Sequence, residues 1–263
     1  MKTLVLIPTY NEKEIIKKTI LEISKLNIED LDILIIDDNS PDKTAMIVKE
    51  IKEIQEKDKT IEFKIDSFFD SMDEVDLFRN MKNNLFILER KKKFGLAAAY
   101  ITGFQWGLQK DYDCFIQMDA DMSHHPKYIK DFLKNLENHD LVIGSRYIRD
   151  GRIENWSLMR KIISRLGSVY ARLILFSSIK DLTGGYNAWK KETLEKIDLQ
   201  KIRSNGYSFQ IEIKYKAQKN KNKIIEIPIV FAERKAGRSK MNKKIFLEAM
   251  WRVWWLKFFM RKI

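Results

Sequence analysis

Short runs of consecutive apolar residues, each closed by a polar or acidic cluster, mark the first half of the chain. They are Thr3 to Pro8 (TLVLIP), Leu31 to Asp38 (LDILIIDD), Leu85 to Leu88, Cys114 to Met118 and Asp140 to Gly144 (DLVIG). Continuous apolar runs, rather than alternating ones, predict strands buried on both faces of a parallel sheet. Helical segments are expected between them. One follows Asn11, which can cap it, with Glu12 and Glu14 at its positive end. Another opens at Ser40-Pro41-Asp42, with proline in its first turn, and others span Gly95 to Gln109 and Pro126 to about Glu137. This alternation implies right-handed crossovers and an α/β fold with a mostly parallel sheet, in which ligands sit outside the carboxyl ends of the strands. The second half is more helical, over Trp156–Ser177, Gly206–Lys219 and Asn242–Met260. Lys223 to Ala232 reads as a strand whose Pro228 favours an edge. Lys57 to Asn84 breaks the rhythm and reads as a peripheral insertion carrying a small helix or hairpin.

Composition narrows the function classes. The 263 residues are 44% hydrophobic and 11% aromatic, which supports a packed core and excludes a disordered chain. The single cysteine, Cys114, excludes a disulfide framework and a cysteine-based zinc site, and three histidines disfavour a histidine-rich one. Neither a basic-then-apolar leader nor an uncharged apolar run of bilayer length is visible, so a cytoplasmic, reducing location is expected. The net charge of +12, from 49 basic against 37 acidic side chains, points to polyanionic company: nucleic acid, anionic lipid or a phosphorylated substrate.

The candidate chemistry lies at the predicted strand ends. Asp119-Ala120-Asp121 follows the fourth strand. Two carboxylates one residue apart can turn toward one cavity and hold Mg²⁺ or Mn²⁺ together with substrate phosphates; the bland alternative is an acidic turn with a helix cap. Asp37 and Asp38 end the second strand, where one carboxylate suits a ribose or base and the other a cap. Pro8-Thr9-Tyr10-Asn11-Glu12 offers amides, a stacking ring and a carboxylate, or an ordinary strand-to-helix turn. Arg146 ends the fifth strand, and Arg160 and Ser164 lie four apart on one helix face. Arginine's planar fork suits phosphate oxygens. Arg234, Arg238 and Lys240 lie in a basic turn around Gly237, read as a lid over an anionic substrate or a plain charged loop.

Taken in order, PTYNE (8–12), DDNSPDKT (37–44), FGLAAAYITGF (94–104), MDADMSHHP (118–126), GSRY (144–147), DLTGGYNAW (181–189), GYSFQIE (206–212) and EIPIVFAERKAGRSK (226–240) resemble the family 2 inverting glycosyltransferases. The narrower likeness is to the dolichyl-phosphate (polyprenyl-phosphate) mannosyltransferases. That resemblance implies a nucleotide-binding, Rossmann-like glycosyltransferase A-type domain with a mostly parallel central sheet over residues 1–240. It implies transfer of mannose from GDP-mannose to a polyprenyl monophosphate, with Mn²⁺ or Mg²⁺ held by Asp119, Asp121 and Ser123. It also implies a donor nucleotide bordered by Pro8, Tyr10, Glu12, Asp37, Asp38, Asp119 and Ala120, and an acceptor phosphate held by Arg146, Arg160 and Ser164. Asp121, Arg146 and Arg160 would carry the catalysis, and Arg234, Arg238 and Lys240 would close the site. Two departures stand out: Phe94, where a small or basic residue is frequent, and Lys43, where SPDGT has glycine. A phosphate nucleophile is already anionic, so no general base is expected, and His124 and His125 read as structural.

Residues 241–263 read as an amphipathic helix. Lys244, Glu248 and Arg252 form a polar line beside Trp251, Trp254, Trp255, Phe258 and Phe259, which suits a peripheral attachment to the cytoplasmic face of an anionic membrane, or simple packing on the domain. A membrane-protein partner is a further expectation. The competing enzymatic reading transfers glucose or another sugar from a UDP-sugar to polyprenyl phosphate or to another acceptor. A nucleic-acid binder is disfavoured, because acidic pairs at successive strand ends repel a polyanion, and intact Asp119 and Asp121 argue against an inactive membrane adaptor.

Overall fold

A computed structural model of the chain describes residues 1–56, 69, 71–233 and 243–259. The elements run β1 (Thr3–Thr9), α1 (Ile16–Ser24), β2 (Leu31–Asp37), α2 (Thr44–Glu56), α3 (Met72–Arg79), β3 (Leu85–Glu89), α4 (Leu96–Leu108), β4 (Cys114–Gln117), α5 (Ile129–Leu136), β5 (Leu141–Ser145), β6 (Arg152–Ile153), α6 (Leu158–Leu175), β7 (Asn187–Lys190), α7 (Lys191–Glu195), α8 (Gly206–Lys219), β8 (Ile224–Pro228), β9 (Val230–Phe231) and α9 (Lys243–Phe259). Seven strands form one sheet in the order β3-β2-β1-β4-β7-β5-β8, while β6 and β9 pair separately. Neighbours in the large sheet are parallel except at β7, which is antiparallel to both β4 and β5.

The continuous apolar runs are buried on both faces, as their pattern requires. Leu4, Leu6, Leu34 and Ile36 enter one core beneath α4, α8 and α9. Val5, Ile7, Ile33 and Ile35 enter the other, with Ile20 of α1, Val48 of α2, Val75 of α3 and Phe132 of α5. Truncating one such fully buried side chain to alanine costs about 2–5 kcal/mol. Pro8 fits the central strand β1 because the β4 pairing ends at Leu6–Gln117, so the amide hydrogen that proline lacks has no partner to miss. Pro228 lies on β8, at the sheet edge, as expected.

Several local expectations are corrected. Asn11 does not cap α1: it has φ +59°, and the helix starts five residues later with no side-chain cap and no acidic residue in its first turn. Pro41 precedes α2 rather than opening it, and Asp42 Oδ1 holds that turn by accepting from the Thr44 amide and hydroxyl. Lys43 adopts φ +70°, the left-handed region in which glycine is strain-free. The predicted strand over 223–232 divides at Ile229 into β8 and β9. Of the insertion read over 57–84, residues 57–68 and 70 lie outside the described residues. Phe69, Val75 and Phe78 are buried in the second core, so this region adds packing as well as α3.

Candidate active site

The polar residues singled out in the sequence cluster around the carboxyl ends of β1, β2, β4 and β5. At β1, the Thr9 hydroxyl donates to Asp37 Oδ1 (2.8 Å), and the Asp38 amide donates to the Thr9 carbonyl (3.0 Å), tying the ends of β1 and β2 together. Asp37 also accepts from the amide and hydroxyl of Ser40. Asp38 points elsewhere. Its Oδ2 accepts from the amides of Phe94 and Gly95 at the start of α4, and its Oδ1 lies 2.8 Å from the Arg90 guanidinium. A carboxylate on a helix N-terminus complements the macrodipole. Gly95, at φ +95°, supplies the backbone bend that aims its amide at Asp38. Tyr10 lies at the mouth, with Lys93 Nζ 3.8 Å from its ring centroid, and the Glu12 amide donates to Thr44. Phe94 is exposed, with Arg90 and Lys92 each about 5 Å from its ring centroid, so this departure from the family pattern adds an aromatic surface to a cationic rim.

The carboxylate pair follows β4. Asp119 is about one-third exposed and its Oδ1 accepts from the Tyr100 hydroxyl (3.3 Å). Asp121 is buried; its Oδ1 accepts from the amide and hydroxyl of Ser123. Met122, between them, takes φ +63°, which folds the chain back so that Ser123 reaches Asp121. Ser123 therefore supports Asp121 directly. The Ala120 carbonyl accepts from Thr19 of α1 (2.7 Å), which pins the loop to the domain.

Two carboxylates with a hydroxyl between neighbouring turns form a hard oxygen donor set that fits Mg²⁺ or Mn²⁺. Among the described residues no three His, Cys, Asp or Glu side chains cluster to hold a metal. An ion here would need oxygens from a bound diphosphate as well.

His124 is buried, and its Nδ1 accepts from the Asp119 amide (3.0 Å). That bond assigns the proton to Nε2. Burial pushes the imidazole pKa down, opposed by the charges of Asp119 and Asp121, so the ring is neutral and stacks on Tyr186 at 4.8 Å. The structural reading of His124 agrees with this geometry. His125 is also local: its Nδ1 accepts from the Lys127 amide.

Arg146, after β5, is buried and held by Asp181. Its Nε donates to Oδ2 (2.7 Å), its Nη2 to Oδ1 (2.8 Å), and its backbone amide to Oδ2 (3.0 Å). The Arg146 and Lys214 charges hold the Asp181 carboxyl down to about 2 despite burial. Lys214 of α8 is itself fully buried and donates to the carbonyls of Asp181 (2.9 Å) and Gly184 (2.7 Å); burial lowers its pKa to about 8. Glu226 of β8 accepts from the amides of Lys180 and Asp181. The loop 181–185 is thus fixed from three sides. No local signal in the sequence assigns a role to this DLTGG stretch: Asp181, Lys214 and Glu226 are far apart in the chain and meet only in the fold.

Arg160 and Ser164 share α6 as predicted. Ser164 Oγ accepts from the hydroxyl of Tyr147, the neighbour of Arg146 (2.6 Å), so α6 is tied to the end of β5. Arg160 stacks on Trp156, its guanidinium carbon 3.7 Å from the ring centroid, and donates to Glu233 (3.3 Å) at the open rim. Arg234, Arg238 and Lys240, read as a lid, lie outside the described residues.

Residues 4–65 and 70–198 match the model of the family described as glycosyl transferase family 2. A curated relative, the undecaprenyl-phosphate mannosyltransferase of Micrococcus luteus, is 37% identical over 95% of this chain and 91% of its own. The polyprenol monophosphomannose synthase of Mycolicibacterium smegmatis is 36% identical over 96% and 85% respectively. Among solved structures, glucosyl-3-phosphoglycerate synthase from Mycobacterium tuberculosis with Mg²⁺ and uridine diphosphate covers 99% of this chain and 79% of its own at 15% identity, with a TM-score of 0.58. That likeness establishes the shared fold. The family match over most of the chain agrees with acidic and basic residues gathered at the carboxyl ends of a mostly parallel sheet, and the chain belongs to glycosyl transferase family 2.

Proposed function

We propose that this chain transfers mannose from GDP-mannose to a polyprenyl monophosphate at the surface of a membrane, with Mn²⁺ or Mg²⁺ as the metal. The observation that carries this reading is the juxtaposition of two anchored groups. The Asp119/Asp121 pair ends β4, and Arg146 ends β5. His124, whose Nδ1 accepts from the Asp119 amide, and Arg146 lie against the same Phe231 ring, each 5.4 Å from its centroid. The two curated relatives named for polyprenyl-phosphate mannosyl transfer support the substrate class. The donor nucleotide would lie along Pro8, Tyr10, Glu12, Asp37 and Asp38 and reach Asp119 and Ala120. Asp37 and Asp38 would act there mainly by shaping the turns that present backbone groups. Asp119 and Asp121, with Ser123 behind them, would hold the metal, which neutralises charge on the departing diphosphate when bound.

An inverting transfer is a single displacement at the anomeric carbon. The acceptor phosphate oxygen needs no deprotonation at neutral pH, and neutral His124 has no proton to take. The work left to the protein is alignment. Arg146 is pre-set by its bidentate pair with Asp181, while Arg160 and Ser164 stand on α6 at the open side. In this reading the donor side is built from the first half of the chain and the acceptor side from β5 and α6. The test is a transfer assay pairing GDP-mannose, UDP-glucose and other sugar nucleotides with prenyl phosphates, with and without Mn²⁺. Mannose transfer from GDP-mannose that ceases in chelator supports the reading; preferential use of UDP-glucose replaces its donor.

A further inference from the structure

α8 carries a lysine at a position its surroundings would give to an apolar side chain. Phe209, Ile211, Ile213 and Tyr215 are buried on the same helix, and Lys214 is itself at 0% exposure. An ammonium taken out of water is costly unless an opposite charge pairs with it directly. Lys214 bonds instead to neutral groups, the carbonyls of Asp181 and Gly184, and burial lowers its pKa to about 8. A neutral donor satisfies a carbonyl as well as an ammonium does, so fixing this loop does not require the charge. At neutral pH Lys214 is nonetheless protonated, and alignment of donor and acceptor as described above gives that charge no task.

Its surroundings supply one. Arg146 commits Nε and Nη2 to the Asp181 carboxylate, and Nη2 also donates to Thr183 (2.9 Å). A guanidinium in such a bidentate pair presents little net charge to a third ion, because the carboxylate's field opposes its own. Lys214 changes that balance. It holds the backbone carbonyl of the same aspartate, and its charge acts with that of Arg146 to keep Asp181 ionised. Two cations thus share one buried carboxylate, and the group is net positive. Glu226 on β8 also acts on Lys214, but it is partly exposed on the edge strand and accepts from the amides of Lys180 and Asp181, so solvent screens it. Of the helices packed on α8, α4 has no charged residue, and on α9 Arg252 and Lys257 turn to the Arg203 carbonyl and the Phe176 ring. On α8 itself, Glu212 turns to Ser204 and Lys216.

We propose that Lys214 is a positioning residue for the acceptor phosphate: its buried ammonium offsets Asp181, so that Arg146 meets the phosphate with its positive charge uncancelled. Lys214 touches no substrate and acts through Asp181 and Arg146. A fixed, net positive group suits a phosphate dianion, and it needs no rearrangement when the ligand arrives. A charge that destabilises the fold is kept for the ligand, the usual trade between stability and activity at a site. This inference deepens the acceptor reading above and rests on it.

The experiment uses the full chain, GDP-mannose, Mg²⁺ and a short, water-soluble prenyl phosphate, with wild type, Lys214→Gln and Lys214→Met compared. Lys214→Gln keeps a donor and removes the charge. Its KM for the prenyl phosphate rises about tenfold, the effect of one unit charge acting across about 10 Å at an effective dielectric near 20, while kcat and calorimetric affinity for GDP-mannose stay near wild type. The pH profile separates charge from structure. The prenyl phosphate is past its second ionisation, near pH 6, throughout the range from pH 7 to 9.5. Wild-type kcat/KM for the acceptor therefore falls as pH rises through about 8, where free Lys214 loses its proton, and converges on the Lys214→Gln value, which lacks that fall. The wild-type series needs no variant and holds even if both variants fail to fold. A wild-type profile flat through pH 8, the same alkaline fall in a folded Lys214→Gln, or an unchanged acceptor KM overturns the proposal. Equal damage to donor affinity and acceptor KM also overturns it and leaves Lys214 a structural role. Calorimetric binding of the prenyl phosphate without donor separates the two claims. If wild type binds it and the variant binds about tenfold more weakly, yet neither transfers mannose, the catalytic reading is wrong and the role of Lys214 stands. If wild type transfers mannose and the variant does so with unchanged acceptor KM, the catalytic reading stands and the inference is wrong. A wild type that binds no prenyl phosphate overturns both.

Discussion

Asp181→Asn should be among the most damaging single substitutions outside the hydrophobic core. The carboxylate is fully buried and accepts from Arg146 three times and from the Gly184 amide at 2.9 Å. Asparagine keeps the volume but presents an amide donor to a guanidinium that already donates. The variant leaves Arg146 and Lys214 as buried cations, with Glu226 the remaining carboxylate whose charge acts on Lys214. Removing one partner of a buried pair typically costs about 3–5 kcal/mol. Total stability for such domains is on the order of 5–15 kcal/mol. Each kcal/mol lowers the melting temperature of a chain this long by about 2–4 °C, so a fall of about 6–20 °C is expected. The sign with pH follows from the depressed Asp181 pKa of about 2. Its stabilisation is fully present above the ordinary carboxylate range near 4 and is lost as pH falls through about 2. Wild type and Asp181→Asn should therefore converge in strong acid. Arg146→Met/Asp181→Leu, which removes both charges, should recover much of the stability and none of the transfer activity. Thermal unfolding across a pH series is the assay. A single variant within 2 °C of wild type at pH 7 would mean that the pair contributes little, and the account of how Arg146 is held would fail.

Three further outcomes follow from the same geometry. Asp121→Ala should abolish metal-dependent transfer with the fold retained by circular dichroism; full activity with ordinary metal dependence would remove Asp121 from the metal site. Arg160→Ala should damage use of the prenyl phosphate by about 10–150-fold, the loss of a charge-assisted bond worth about 1.5–3 kcal/mol, while donor affinity measured without acceptor stays near wild type. If donor affinity collapses instead, the division of the pocket is wrong. Lys214→Met should remove a pH dependence. With its folded pKa lowered to about 8, charged Lys214 destabilises the fold below pH 8, and wild-type stability rises relative to the variant between pH 8 and the unfolded value near 10.5. Parallel stability profiles for the two proteins over that range would refute a charged, buried Lys214.

The parts of the fold that were legible are those set by local pattern. Continuous apolar runs located β1 to β5 within a residue or two, because a strand buried on both faces must be apolar throughout. β7 was missed. Its four residues, Asn187 to Lys190, carry a buried asparagine and tryptophan that bond to Gln117 of β4, a tertiary arrangement with no local signature. The starts of α1 and α2 were misplaced because Asn11 and Pro41 are good helix openers in isolation, yet both are spent in turns that join strand ends. At the site, Asp119, Asp121, Arg146, Arg160 and Ser164 were visible from their positions after predicted strands or on one helix face. The groups that fix them, Tyr100, Tyr147, Asp181 and Lys214, were not, since each acts across the fold. Lys214 hides among Phe209, Ile211, Ile213 and Tyr215 in a helix buried around most of its circumference, where periodicity carries no information.

The most direct test of the central claim is the identity and configuration of the product. The chain would be incubated with GDP-mannose, a prenyl phosphate and Mn²⁺, and the lipid product isolated and examined by mass spectrometry and by NMR at the anomeric centre. The account predicts a prenyl mannosyl phosphodiester with inverted configuration, formed one for one with GDP and absent in chelator. A product of retained configuration, free mannose in place of the phosphodiester, or the same yield in chelator would contradict it.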